Sequence, residues 1–329
     1  MRLYTEIKDL QKTTLGRHVY DETGALELPW SLSGFAVRFI GQRAIIHFRA
    51  DHRTEATVYM KADVDGNESK YGIIDGGSKI VLDDLGDGEH TLILRRVSAG
   101  EMTSVKVSAF ELHGENCEVL AAPEMPELKI QFFGDSITCG YGVLGDSATR
   151  TYSTFEEDAT KTYAYLTAKA LGADMRVCAI SGQGICSDCA GEHGTLFSEF
   201  FEYETRDGKH MHDFSGWTPD IVVINGGTND QGHASLENFK AGCAALLARA
   251  REVYPKAHIF WAYGLMGNRF APVLDELFSE LRQNDDKFHC VYFERITAEE
   301  TGANGHPGVK GQARGALVLT EAIREVIGK

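Results

Sequence analysis

The texture of the chain changes once, across Ala121-Ala122-Pro123-Glu124-Met125-Pro126-Glu127, and this change limits the fold more than any other feature. Before it, short β-branched and aromatic runs recur: Phe35–Ile40, Ala44–Arg49, Ala56–Lys61, Lys79–Leu82, His90–Val97 and Val105–Leu112. Turn signals punctuate them at Gly41, Asp65-Gly66-Asn67, Gly76-Gly77 and Gly86-Asp87-Gly88. No stretch here keeps a helical period over three turns. Regularly spaced strands with turn residues between them imply an all-β sandwich of jelly-roll type over residues 1–120.

Beyond the linker, which its two prolines hold extended, strands alternate with amphipathic helices over residues 128–329. The strands are Leu128–Phe133, Met175–Ile180, Ile221–Asn225, His258–Tyr263 and Phe288–Phe293. Between them, helical spacing puts Tyr163, Leu166, Ala170 and Leu171 on one face, then Phe239, Cys243, Leu246, Leu247 and Ala250, then Val273, Leu274, Leu277, Phe278 and Leu281. A last helix runs from about Val309 to Val326. Such alternation predicts an α/β domain, a five-stranded parallel sheet covered by helices.

A formal charge of −15 argues against nucleic acid or an anionic membrane as partner, because both need a basic face. Seven cysteines without a regular framework suit a reducing compartment. The first nine residues carry no apolar run, so a cytoplasmic location is expected. Cys186-x-x-Cys189 has no second pair at zinc-finger spacing, and His210 and His212 alternate on a polar stretch, so neither a metal nor a cofactor is expected.

Four blocks follow strands of the second half: Gly134-Asp135-Ser136, Ser181-Gly182-Gln183-Gly184, Gly226-Gly227-Thr228-Asn229-Asp230 and Gly305-His306-Pro307-Gly308. The ends of parallel strands converge on one rim, so residues far apart in sequence can share a site there. A serine hydroxyl is a poor nucleophile without a base and an oxyanion hole. Ser136 would attack, and His306 would take and return the proton. The N–H groups of Ser136 and Gly182, with the side-chain amide of Asn229, would hold the oxyanion. Gly184 competes with Gly182 for this role.

This set of blocks resembles the SGNH (GDSL-type) hydrolases, whose Ser, Gly, Asn and His occur in this chain order. More narrowly, Gly134-Asp135-Ser136-Ile137-Thr138-Cys139-Gly140-Tyr141-Gly142 behind an all-β half resembles carbohydrate esterase family 2, deacetylases of xylan and glucomannan. The chain departs from the wider superfamily at Ala303, where an aspartate commonly stands three residues before the histidine. The narrower resemblance implies a Ser–His dyad in which a main-chain carbonyl, here that of Asn304, orients the imidazole. Glu294 is a more distant acid. The resemblance also implies Trp261 as an aromatic platform for a sugar ring.

The function so implied is a carbohydrate O-acetyl esterase acting on acetylated hemicellulose oligosaccharides through an acetyl-serine. Two alternatives are a general short-chain esterase, thioesterase or acyltransferase, and a carbohydrate-binding protein without activity. An inactive relative should lack Ser136, His306 or Asn229, and all three are present.

Overall fold

A computed structural model describes residues 1–52, 56–74, 77–99, 103–149 and 151–328, which leaves the Gly76 turn signal outside the described residues. The chain forms two compact units, Met1–Met125 with Glu204–Arg206, and Pro126–Tyr203 with Asp207–Lys329. Sequence texture gave no sign that three residues of the second half cluster with the first unit.

Among the described residues the first unit holds two six-stranded antiparallel sheets. Arg43–His52 and Thr103–His113 are the long neighbours of one sheet; Gly34–Ile40, Glu89–Arg96 and Val58–Val64 lie side by side in the other. Along Glu89–Arg96 burial alternates, so His90, Leu92, Leu94 and Arg96 point inward as a two-residue period requires. Phe48, Ile46 and Val107 of one sheet and Phe35, Val37 and Leu92 of the other belong to a single apolar core.

Six strands carry too little apolar signal to be seen in the sequence: Arg2–Glu6, Thr13–Leu15, Val19–Tyr20, Leu26–Glu27, Asn67–Ile73 and Glu118–Val119. Asn67–Ile73 is mostly solvent-facing. It is set by the hairpin at Asp65 and Gly66, whose φ of 52° and 88° match the turn that favours Asp-Gly.

The second unit contains a five-stranded parallel sheet in the order Asp174–Ala179, Lys129–Gly134, Ile221–Asn225, His258–Tyr263, Phe288–Tyr292. The first strand in sequence lies second in space, so chain direction across the sheet reverses there, and such a point opens a crevice beyond the strand ends. Gly134 closes that strand, paired with Ala179 on one side and Asn225 on the other.

The helix Leu236–Val253 buries Phe239, Cys243, Leu246, Leu247 and Ala250, the face its period predicts. The helix Tyr163–Leu171 departs from expectation. It buries Tyr163, Ala164, Thr167 and Ala168, while Ala170 is exposed. The reason is close approach to the last helix, Val309–Ile327, where the Thr167 hydroxyl donates to the Ala316 carbonyl at 3.3 Å. Apart from Tyr163, small residues hold that face.

Candidate active site

Gly134 ends its strand because nothing larger fits: a Cβ there would lie 1.9 Å from the Thr138 hydroxyl oxygen. The chain then turns straight into the short helix Ser136–Cys139, capped by Asp135, whose Oδ1 accepts the Ile137 N–H at 3.0 Å. Ser136 thus opens the helix at the sheet rim, where its own N–H has no intrahelical acceptor.

His306 reaches Ser136 from the other end of the domain. Its Nε2 lies 3.0 Å from Ser136 Oγ, and its Nδ1 lies 3.2 Å from the Asn304 carbonyl oxygen. A proton on Nδ1 shared with that carbonyl leaves Nε2 as an acceptor for the serine hydroxyl. Burial holds the His306 pKa below its ordinary 6.5, with the Asn304 carbonyl opposing the shift. Glu294 plays no part in this arrangement: its side chain is 92% exposed and its charge partner, at 3.8 Å, is Arg314.

Asn304 stands in the left-handed region, φ 52° and ψ 33°, which asparagine tolerates better than most residues. The loop is held by main chain. The Ala303 N–H donates to the Gly142 carbonyl at 2.9 Å, and the Gly302 N–H to the His306 carbonyl at 2.7 Å. A Cβ on Gly142 would meet the Ala303 carbonyl oxygen at 2.6 Å, and one on Gly302 the Gly142 carbonyl oxygen at 2.3 Å.

The loop after Asp174–Ala179 is organised by Asp230, which is fully buried and accepts the N–H groups of Ile185 at 2.9 Å, Cys186 at 2.7 Å and Ser187 at 3.3 Å. Burial raises the Asp230 pKa even against those amides. Burial also pushes Asp135 up to about 7, and the charge of Asp230 adds to the effect. Gly184 is packed beneath this carboxylate, since a Cβ there would lie 2.5 Å from Asp230 Oδ2. Gly182 is half-buried with φ 79°, and among the described residues no acceptor meets its N–H. Asn229 Nδ2 donates to the Gln183 carbonyl at 2.7 Å and lies 3.4 Å from Asp135 Oδ2. That fixes the amide beside the same loop.

Trp261 corrects an expectation. It is wholly buried, edge-on to Phe239, with its indole N–H donating to the Gly226 carbonyl at 3.2 Å. A ring inside a parallel sheet packed on both faces cannot stack on a sugar. Tyr141 of the nucleophile block lies beside the histidine instead, 4.4 Å from the His306 ring, and Tyr152, which sequence did not single out, stacks on Tyr141 at 3.7 Å. Gln312 was also invisible. It accepts the Tyr163 N–H and donates to the Ile137 carbonyl, both at 2.8 Å.

Residues 132–314, more than half the chain, match the family described as GDSL-like Lipase/Acylhydrolase. The chain belongs to that family. Residues 14–123 match the domain described as Carbohydrate esterase 2 N-terminal. The chain is 28% identical over 328 residues to "Cellulase/esterase CelE" of Acetivibrio thermocellus, an alignment covering 95% of this chain and 39% of that protein. It is 29% identical over 214 residues to "Acetylxylan esterase / glucomannan deacetylase" of Cellvibrio japonicus, covering 64% of this chain and 57% of that one. The chain therefore spans well under two thirds of these relatives' lengths. Among solved structures, a family two carbohydrate esterase from Clostridium thermocellum in complex with cellohexaose superposes with a TM-score of 0.91 at 29% identity, covering 96% of this chain and 99% of that one. Its two-domain architecture, sheet-rich then parallel α/β, is the architecture of this chain.

Proposed function

We propose that this protein is a serine O-acetyl esterase that removes acetyl groups from acetylated hemicellulose oligosaccharides built on xylan, mannan or glucomannan. We further propose that its first unit is a jelly-roll. The observation that carries the function is the Ser136–His306 contact of 3.0 Å, with the far nitrogen of the same ring on the Asn304 carbonyl. The named relatives, an esterase and an acetylxylan esterase/glucomannan deacetylase, support the choice of substrate.

In this mechanism Ser136 Oγ attacks the acetyl carbonyl carbon as His306 Nε2 takes its proton. The tetrahedral oxyanion is received by the N–H groups of Ser136 and Gly182 and by the Asn229 amide. The imidazolium gives its proton to the departing sugar oxygen, leaving acetyl-Ser136. Water then repeats the sequence, His306 removing its proton, and acetate leaves. The dyad requires no charged third member, because a carbonyl on Nδ1 still selects the tautomer.

The decisive experiment measures acetate release from acetylated xylan and glucomannan oligosaccharides beside p-nitrophenyl esters of increasing chain length. Acetyl esters should react fastest, with rates falling from butyrate onward. A preference for octanoyl over acetyl esters would reject the proposal. Ser136→Ala and His306→Ala should each abolish turnover, since the two groups act as one unit.

A further inference from the structure

We infer that Tyr141 is a positioning residue for His306, standing in for the restraint that a triad carboxylate would provide. The inference rests on the Ser136–His306 dyad proposed above.

A neutral carbonyl grips an imidazole less firmly than a carboxylate, because hydrogen bonds to ionised groups are roughly twice as strong as neutral ones. The grip here also depends on Asn304, an exposed residue in a sparsely populated backbone conformation, which costs about 1–3 kcal/mol unless neighbours over-determine it. Tyr141 addresses both weaknesses. Its hydroxyl accepts from Asn304 Nδ2 at 3.4 Å, tethering the residue whose carbonyl aims the ring. Its own ring lies 4.4 Å from the imidazole, tilted by 41°.

Tyr141 is itself well fixed. Its N–H donates to the Ser136 carbonyl at 3.1 Å, and Tyr152 stacks on its other side at 3.7 Å with only 11° between planes. One side chain therefore ties the nucleophile's main chain to the loop that presents the base. When Nε2 takes the serine proton, the cation forms within cation–π range of an aromatic ring. That contact strengthens only as charge appears, so it acts on kcat and not on ground-state binding.

The test uses the full chain, with Tyr141→Leu, Tyr141→Phe and Tyr152→Ala assayed on p-nitrophenyl acetate and on acetylated xylo-oligosaccharides. Tyr141→Leu should lower kcat roughly 10- to 100-fold on both substrates, the scale for misaiming a catalytic group, with KM little changed. Phosphonylation of Ser136 by a small fluorophosphonate should slow in parallel. Tyr141→Phe, which keeps the ring, should recover most of the loss. Should the leucine variant fail to fold, Tyr152→Ala carries the test, with a smaller kcat loss expected and again no KM change.

Wild-type kcat in Tyr141→Leu, a defect confined to KM or to the oligosaccharide, or a phenylalanine variant as poor as leucine would each overturn the inference. His306→Ala assayed alongside separates the two levels. A dead His306→Ala with an unaffected Tyr141→Leu removes this inference alone, whereas an active His306→Ala removes the dyad beneath it.

Discussion

Gln312 Nε2 donates to the carbonyl of Ile137, 175 residues away, at 2.8 Å, from a position where no part of the glutamine is exposed. The bond joins the last helix, which follows His306, to the short helix that Ser136 opens. The other end of the same amide receives the Tyr163 N–H, and Tyr163 OH in turn meets the Thr138 hydroxyl at 2.9 Å. A buried polar chain of this kind is strong only when every member is satisfied. Gln312→Ala should therefore cost about 2–6 kcal/mol, from two orphaned backbone groups at about 1–3 kcal/mol each. Chemical denaturation of the variant measures this, and a change within error would mean the bond is not structural.

Asn229→Ala should lower kcat by roughly 10²–10³-fold, the usual loss for one donor aimed at developing charge. KM should move much less, as expected of an interaction made in the transition state. Steady-state kinetics on p-nitrophenyl acetate decide the point. A defect mainly in KM would assign Asn229 to substrate binding.

The pH profile follows from His306. The base works only when neutral, and burial favours the neutral form, so its pKa lies below the ordinary 6.5. Activity should therefore persist as pH falls past 6.5 and decline only through that lowered pKa, on the acidic limb of kcat/KM. A limb centred above 6.5 would show a charged neighbour stabilising the imidazolium, which the surroundings of the ring among the described residues do not supply.

Trp261→Ala should act on stability, at about 3–5 kcal/mol for emptying a buried indole site. Any loss of turnover should be equal for p-nitrophenyl acetate and for acetylated oligosaccharides, since the ring touches Phe239 and the Gly226 carbonyl. A selective loss on the sugar substrate would restore its role as a platform.

Why Trp261 misled is instructive. Its strand, His258–Tyr263, is buried at every position after His258, so alternation gives no hint of which side faces a ligand. The helix Tyr163–Leu171 misled for a different reason. Ala164, Thr167 and Ala168 are buried because small side chains allow a neighbouring helix to approach, a property that an apolar period does not register.

Other parts were plain. The residues of helix Leu236–Val253 sort by period alone, and Ser136, Gly182, Asn229 and His306 follow strands whose ends parallel pairing brings to one rim. Tyr141 carried only a faint signal, an aromatic residue between two glycines after the serine. Its meaning depends on a histidine whose position only the folded sheet determines.

The seam between Gly142, Gly302 and Ala303 consists of backbone against backbone, with no room for a side chain. The one side chain already in it is the buried Ala303 methyl. In the proposed mechanism, changes elsewhere on the rim can alter which molecule arrives and how it lies, while this main-chain seam, with Tyr141 beside it, holds the span the proton crosses.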